Sequence, residues 1–187
     1  FVDNAKKNVG TISVNANYKA GPFMSDFSSW GPLPDLQLKP EITAHGGEIT
    51  SAVAGGYDIY SGTSMAAPNM AGAVALLRQY LKTTTDLSGT ALNARVNQML
   101  MSTATIALNE EGNPYSPRKQ GAGLAGIADA IAAESYITVR DKDGNIRDKT
   151  KIELYDDKEK TGVYTFSFLV NNLSGKAETY DPQVWVM

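Results

Sequence analysis

The sequence predicts a mixed α/β chain that passes into an all-β segment, and three patterns carry that prediction. The run Met70-Ala-Gly-Ala-Val-Ala-Leu-Leu77 is apolar on nearly every side and rich in small residues, as in a helix buried all round. Leu92, Val96, Met99 and Leu100 recur at the spacing of a second helix. Beyond Glu134 the helical pattern gives way to β-branched and aromatic runs, with Tyr164, Phe166 and Phe168 alternating onto one face of a half-buried strand. The boundary divides the chain into residues 1–134 and 135–187.

In chain order, Val9, Thr11, Ile12 and Val14 mark a short strand, and Asn15 to Pro22 supply turn residues. Gly46-Gly47 turns the chain into a strand over Ile49–Ala54, and Gly55-Gly56 breaks it before Tyr57–Tyr60. Tyr57 and Tyr60 are expected to pack in the core, with a place beside a pocket as the other reading. Pro68 lacks an N–H and is tolerable only in a first turn, so the buried helix starts within a few residues of Ser64. That sets the Ser64 hydroxyl at the positive end of a helix, among unpaired N–H groups.

Thr83 to Gly89 is a polar loop. In the second helix Arg95, Asn97 and Gln98 lie opposite the apolar stripe, which predicts an amphipathic surface helix. Asn109–Pro114 is a loop, and Tyr115 to Gln120 stays irregular under two prolines. Gly121-Ala-Gly-Leu-Ala-Gly126 opens a helix over Ile127–Ala133. Its G-x-G-x-x-G spacing matches the dinucleotide fingerprint, but no apolar strand leads into it, so the glycines read as devices for close packing. In the β segment, Tyr136–Val139, Lys151–Tyr155 and Tyr164–Val170 read as strands, Asp141–Asn145 as a tight turn, and Glu178–Val186 as the start of one more strand. About four strands fit, against about seven for an immunoglobulin-like sandwich, so this second domain is expected to be cut short.

Gly62-Thr63-Ser64-Met65-Ala66-Ala67-Pro68 resembles the nucleophile motif of the subtilisin-like serine peptidases, the subtilases of family S8. It is not the G-x-S-x-G elbow of α/β-hydrolases, because Ala66 stands where the second glycine belongs. Phe27-Ser-Ser-Trp-Gly-Pro32 resembles the family's F-S-S-x-G-P loop. Leu38 to Gly47 resembles its K-P-D-[IV]-x-A-P-G strand and turn, with Glu41 in place of the aspartate and His45 in place of the second proline. Gln120-Gly-Ala-Gly123 resembles the segment with which subtilase catalytic domains approach their end.

The resemblance implies the C-terminal portion of a three-layer α/β/α catalytic domain followed by the start of a fibronectin-III-like sandwich, as in cell-envelope subtilases of Gram-positive bacteria. It implies a serine-type endopeptidase, secreted or cell-wall-associated, acting on a polypeptide substrate. Ser64 is then the nucleophile, and Gly62, Thr63, Met65 and Asn69 are oxyanion or substrate-binding candidates by motif position. The family's chain order is Asp, His, Ser, which places the other triad members upstream of Phe1 in the same protein and leaves this chain inactive alone. His45, the single histidine, falls on the strand-and-turn motif rather than on H-G-T-H, so it reads as a surface or turn residue. The alternative is a catalytically dead subtilase scaffold serving as a cell-surface binding protein.

Composition narrows the partners. A net charge of −3 without a basic block argues against nucleic acid. The apolar runs fall far short of the roughly 18 residues a membrane-spanning helix needs. The absence of cysteine excludes disulfides, a thiol nucleophile and thiolate metal sites, and a lone histidine makes no metal cluster. Neither a cofactor nor a metal is expected. A chain that opens at Phe1 and stops within Pro182-Gln-Val-Trp-Val-Met187 reads as a piece of a longer protein.

Overall fold

The computed structural model describes residues 23–141, 143–154 and 157–184; the strand and turn expected over Asn8–Pro22 lie outside them. A hairpin of β1 (Ile49–Val53) and β2 (Gly56–Tyr60) leads into α1 (Thr63–Thr84), followed by α2 (Gly89–Ser102), α3 (Pro117–Gln120) and α4 (Ile127–Ala132). β3 (Ser135–Val139) and β4 (Phe168–Asn172) then pair antiparallel, with Ser135 opposite Asn172. The result is mixed α/β, as predicted. The described residues do not assemble the central sheet of a three-layer domain; they form two separate two-stranded sheets.

The core gathers where α1, α2, α4 and β3 meet: Leu77 and Leu81 from α1, Leu92, Val96, Met99 and Leu100 from α2, Ala130 from α4 and Tyr136 from β3. Burying a leucine of this kind contributes about 1.5–3 kcal/mol, so this stripe holds the helices to the first strand of the β segment. The all-round burial expected for α1 is not found among the described residues. Only Leu77 and Leu81 are buried, while Ala71, Gly72, Ala75 and Leu76 are exposed, because the described partners lie on one side of the helix.

α2 is not a surface helix. The Arg95 guanidinium sits 4.2 Å from the Tyr136 ring centre, and Gln98 is buried, its Nε2 donating to the Arg147 carbonyl at 2.8 Å. Tyr136 and Arg147 meet Arg95 and Gln98 on the polar face of α2, an arrival that periodicity alone does not announce. α3 also departs from the irregular stretch expected: Ser116 accepts from the Arg118 N–H and Pro117 opens the helix, where its missing N–H costs nothing.

The strand expected over Lys151–Tyr155 pairs with no neighbour through residues 151–154, and no strand forms over 178–184. The Tyr164–Val170 strand is found only from Phe168 onward, and Tyr164, Phe166 and Phe168 are exposed, with no second layer among the described residues to cover them. The Asp141–Asn145 turn is present, closed by the Asp141 N–H on the Asn145 carbonyl at 2.9 Å.

Residues 149–153 dock instead by their side chains on the extended segment 38–43. Leu38 donates its N–H to Glu153 Oε2 at 3.0 Å and accepts at its carbonyl from Lys151 Nζ at 2.7 Å. Glu41 Oε1 meets the ammonium of Lys39, that of Lys149 at 2.9 Å and that of Lys151 at 3.5 Å. Lys151 also lies 2.7 Å from Glu153 Oε1, an ion pair by distance without the alignment of a hydrogen bond. On the opposite flank the same segment is stitched to residues 122–125. Ala122 N–H donates to the Glu41 carbonyl at 2.9 Å, Thr43 N–H to the Gly123 carbonyl at 2.8 Å, and Ala125 N–H to the Thr43 carbonyl at 2.9 Å.

Burial pushes the Glu41 carboxyl up, but the hydrogen bonds and charges of Lys39 and Lys149 outweigh it and hold the group at about 2, below its ordinary 4.5. A carboxyl whose folded value is depressed stabilises the fold fully above its unfolded value and loses that contribution as pH falls through the folded one. The network's contribution is therefore expected to fade between about pH 4.5 and 2. With solvent screening of a partly exposed network it amounts to about 1–2 kcal/mol. Urea titrations of the wild type and Glu41→Gln at neutral and acid pH check this: the two stabilities converge at the acid end.

Candidate active site

The corner that carries Ser64 is held by two ties to the turn at residues 45–48. Gly62 N–H donates to the Gly46 carbonyl at 2.8 Å, and Ser61 Oγ accepts from the Glu48 N–H at 2.8 Å. Gly46 is buried, and a Cβ there would stand 2.6 Å from the Gly62 oxygen and 3.0 Å from Ala66 Cβ. No other residue permits that approach, which makes Gly46 the seat of the helix start. Glu48 completes the turn in the left-handed region at φ 50°.

Gly62 caps α1, its carbonyl accepting from the N–H groups of Met65 at 3.0 Å and Ala66 at 3.3 Å. Ser64 is the second residue of the 22-residue helix, and its side chain is exposed. Among the described residues the N–H groups of Thr63 and Ser64 have no partner, as first-turn donors must unless a cap or ligand supplies one. They add to the positive end of the helix dipole. Pro68 is the sixth residue of α1, in the second turn rather than the first. The donor it lacks is the one that would reach back four residues to the Ser64 carbonyl, so that carbonyl has no intrahelical partner. Both residues are exposed, and solvent can take its place.

Thr63 is exposed beside Ser64, and Met65 is half-buried with its Sδ toward Gly62. Asn69 is exposed, five residues on and roughly 140° around the helix from Ser64. His45 lies exposed in the turn next to Gly46. Among the described residues neither an imidazole nor a carboxylate bonds to Ser64, and no cluster of His, Cys, Asp or Glu could hold a metal ion. Tyr57 and Tyr60 are not core residues here. Their hairpin stands free of the body, leaving them 64% and 48% exposed, because β1 and β2 pair only with each other.

Two unpaired N–H groups at an exposed helix start suit a negative charge developing on a carbonyl oxygen. A serine hydroxyl at that place still needs a base to take its proton. The roles of Ser61, Gly46 and Glu48 were not visible in the motif. The Gly46-Gly47 pair marks a turn, but which backbone it touches depends on a contact about fifteen residues away.

The chain matches the Subtilase family over residues 2–123. It is 39% identical over 164 residues to a C5a peptidase of Streptococcus pyogenes, covering 80% of this chain and 14% of that protein. To a PII-type proteinase of Lactococcus lactis subsp. cremoris it is 40% identical over 149 residues, covering 68% of this chain and 8% of that protein. A solved structure, that of the prenylagaramide maturation protease PagA, is 31% identical with a TM-score of 0.43, covering 57% of this chain and 36% of that one. The chain thus spans a small part of the length of these curated relatives. The family match over residues 2–123, the glycine-capped helix that opens at the Gly-Thr-Ser motif, and the identities to the streptococcal and lactococcal relatives establish that the chain belongs to the subtilase family.

Proposed function

We propose that this chain carries the nucleophile of a serine-type endopeptidase whose triad Asp and His lie upstream of Phe1. The observation that supports this reading is the exposed Ser64 hydroxyl at the start of α1, beside N–H groups without partners. The relatives named as a peptidase and a proteinase agree with it.

In this reading the upstream histidine takes the Ser64 proton as Oγ attacks the carbonyl carbon of a peptide bond. The Ser64 N–H and an upstream donor hold the oxyanion, each such donor supplying about 3 kcal/mol. Collapse of the tetrahedral intermediate expels the amine, which leaves with the proton from the histidine. Water then releases the acyl group and regenerates Ser64. Gly62, Thr63, Met65 and Asn69 are oxyanion or substrate-binding candidates by motif position. Residues 1–134 form the end of the catalytic domain and residues 135–187 the start of a fibronectin-III-like domain, in a secreted or cell-wall-associated protein.

Fluorophosphonate labelling tests the reading. A polypeptide that extends upstream through the Asp and His labels on Ser64, and this chain alone does not. If the folded longer polypeptide fails to label, the serine has no functioning base and a binding scaffold becomes the better description. Labelling of this chain alone, abolished by Ser64→Ala, would overturn the upstream placement of the triad.

A further inference from the structure

We propose that Lys149, Lys151 and Glu153 form, with Glu41, a latch by which the segment after residue 134 positions the Ser64 corner. The inference rests on the reading of Ser64 as a nucleophile for its catalytic consequence, though not for its mechanical one. These are positioning residues, since none touches Ser64.

The path is continuous. Lys151 and Glu153 grip both backbone polar groups of Leu38, and Lys149 reaches Glu41 three residues on. Residues 38–43 are held between this grip and the backbone bonds to residues 122–125. Gly121, with φ of 65°, lets those two stretches of backbone meet, as a Cβ there would collide with main-chain atoms of Glu41, and Gly123, with φ of 121°, permits the equally close approach of Thr105 on its other side. Three residues after Thr43 comes Gly46, whose carbonyl holds the Gly62 N–H, and then Glu48, whose N–H holds Ser61. Displacement of residues 38–43 therefore moves the seat on which α1 begins.

Glutamate is needed at position 41. An aspartate there would fall short of Lys149 by about 1.5 Å, one carbon–carbon bond. The other charged groups at the latch are Lys39 on the same segment and Asp148 beside Lys149. Lys151 and Glu153 have only about a tenth of their side-chain surface exposed, so their grip on Leu38 is screened less than the partly exposed pairs of Lys39 and Lys149 with Glu41.

The test uses the polypeptide with the complete triad, carrying Glu41→Gln or Lys151→Met, with Lys151→Arg as the conservative variant. Hydrogen exchange of the Glu48 and Gly62 amides, which hold the corner, is expected to quicken about tenfold in the first two. The rate constant of fluorophosphonate acylation is expected to fall about tenfold, within the roughly hundredfold that a 1 Å misplacement can cost. The inhibitor's initial binding stays near its wild-type value, and Lys151→Arg behaves as wild type in both readouts. Faster exchange of the Leu38 amide with none at Glu48 and Gly62 would overturn the proposal, showing a contact that opens without moving the serine corner. Unchanged exchange throughout would also overturn it. If Lys151→Met unfolds, Glu41→Asp supplies the milder lesion and is read by the same exchange. Failure of the unmodified polypeptide to label would sink the nucleophile reading alone, because exchange at Glu48 and Gly62 still decides the latch.

Discussion

With Ser64 replaced by alanine, peptide hydrolysis by the polypeptide bearing the full triad is expected to fall about 10⁵–10⁶-fold in kcat, to the level its oxyanion donors sustain without a nucleophile. KM is expected to change little, because the hydroxyl contributes to the transition state and not to ground-state binding. The same substitution should leave the fold intact. Ser64 is exposed and makes no side-chain hydrogen bond among the described residues, and alanine is the better helix former by about 0.5 kcal/mol. An unchanged or slightly raised Tm beside a collapse in turnover separates lost chemistry from lost structure. A parallel fall in Tm would mean that the exposed hydroxyl has a structural role the corner does not show.

The second large effect is expected at Gly121, and it falls on stability. Alanine there adds a strained left-handed conformation at φ 65° and drives a methyl into the Glu41 carbonyl and to 2.6 Å from the Pro40 oxygen. Relief requires the backbone bonds between residues 41–43 and 122–125 to open, so Gly121→Ala is expected to cost about 3–5 kcal/mol. Gly144 supplies the control. Its φ is 83°, yet nothing lies within 4 Å of where its Cβ would stand, so Gly144→Ala is expected to cost only about 1 kcal/mol. Urea unfolding of both variants decides the matter, and equal costs would mean that conformation, not the close approach, explains Gly121.

Much of this was legible in the residues because the signals were local. The start of α1 follows from the Gly-Thr-Ser run, α2 from its apolar spacing, and the change from helix to strand between Ala132 and Ser135 from a change in composition. What escaped was long-range. Gln98 looks like a solvent residue until the Arg147 carbonyl is brought to it. Lys151 and Glu153 alternate as strand residues should, but their charges are used on Leu38 and Glu41, more than a hundred residues back. Pro68 was placed one turn early because the rule about its missing N–H ignores that an exposed carbonyl can turn to solvent. Tyr57 and Tyr60 show the reverse error, since strand aromatics pack only where a second surface is present.

The ties at the serine corner fall on main-chain atoms of the 45–48 turn, the Gly46 carbonyl and the Glu48 N–H. A bond to main chain is indifferent to the side chain beside it. His45, Gly47 and Glu48 are all exposed, so the surface next to Ser64 can change while its hydroxyl stays where it is. Glu48 alone carries a restriction, its left-handed backbone favouring glycine or asparagine among replacements. Gly46 is the fixed point of that freedom, since a Cβ there would meet the Gly62 oxygen, and the residues around it can be varied without rebuilding the Ser64 corner.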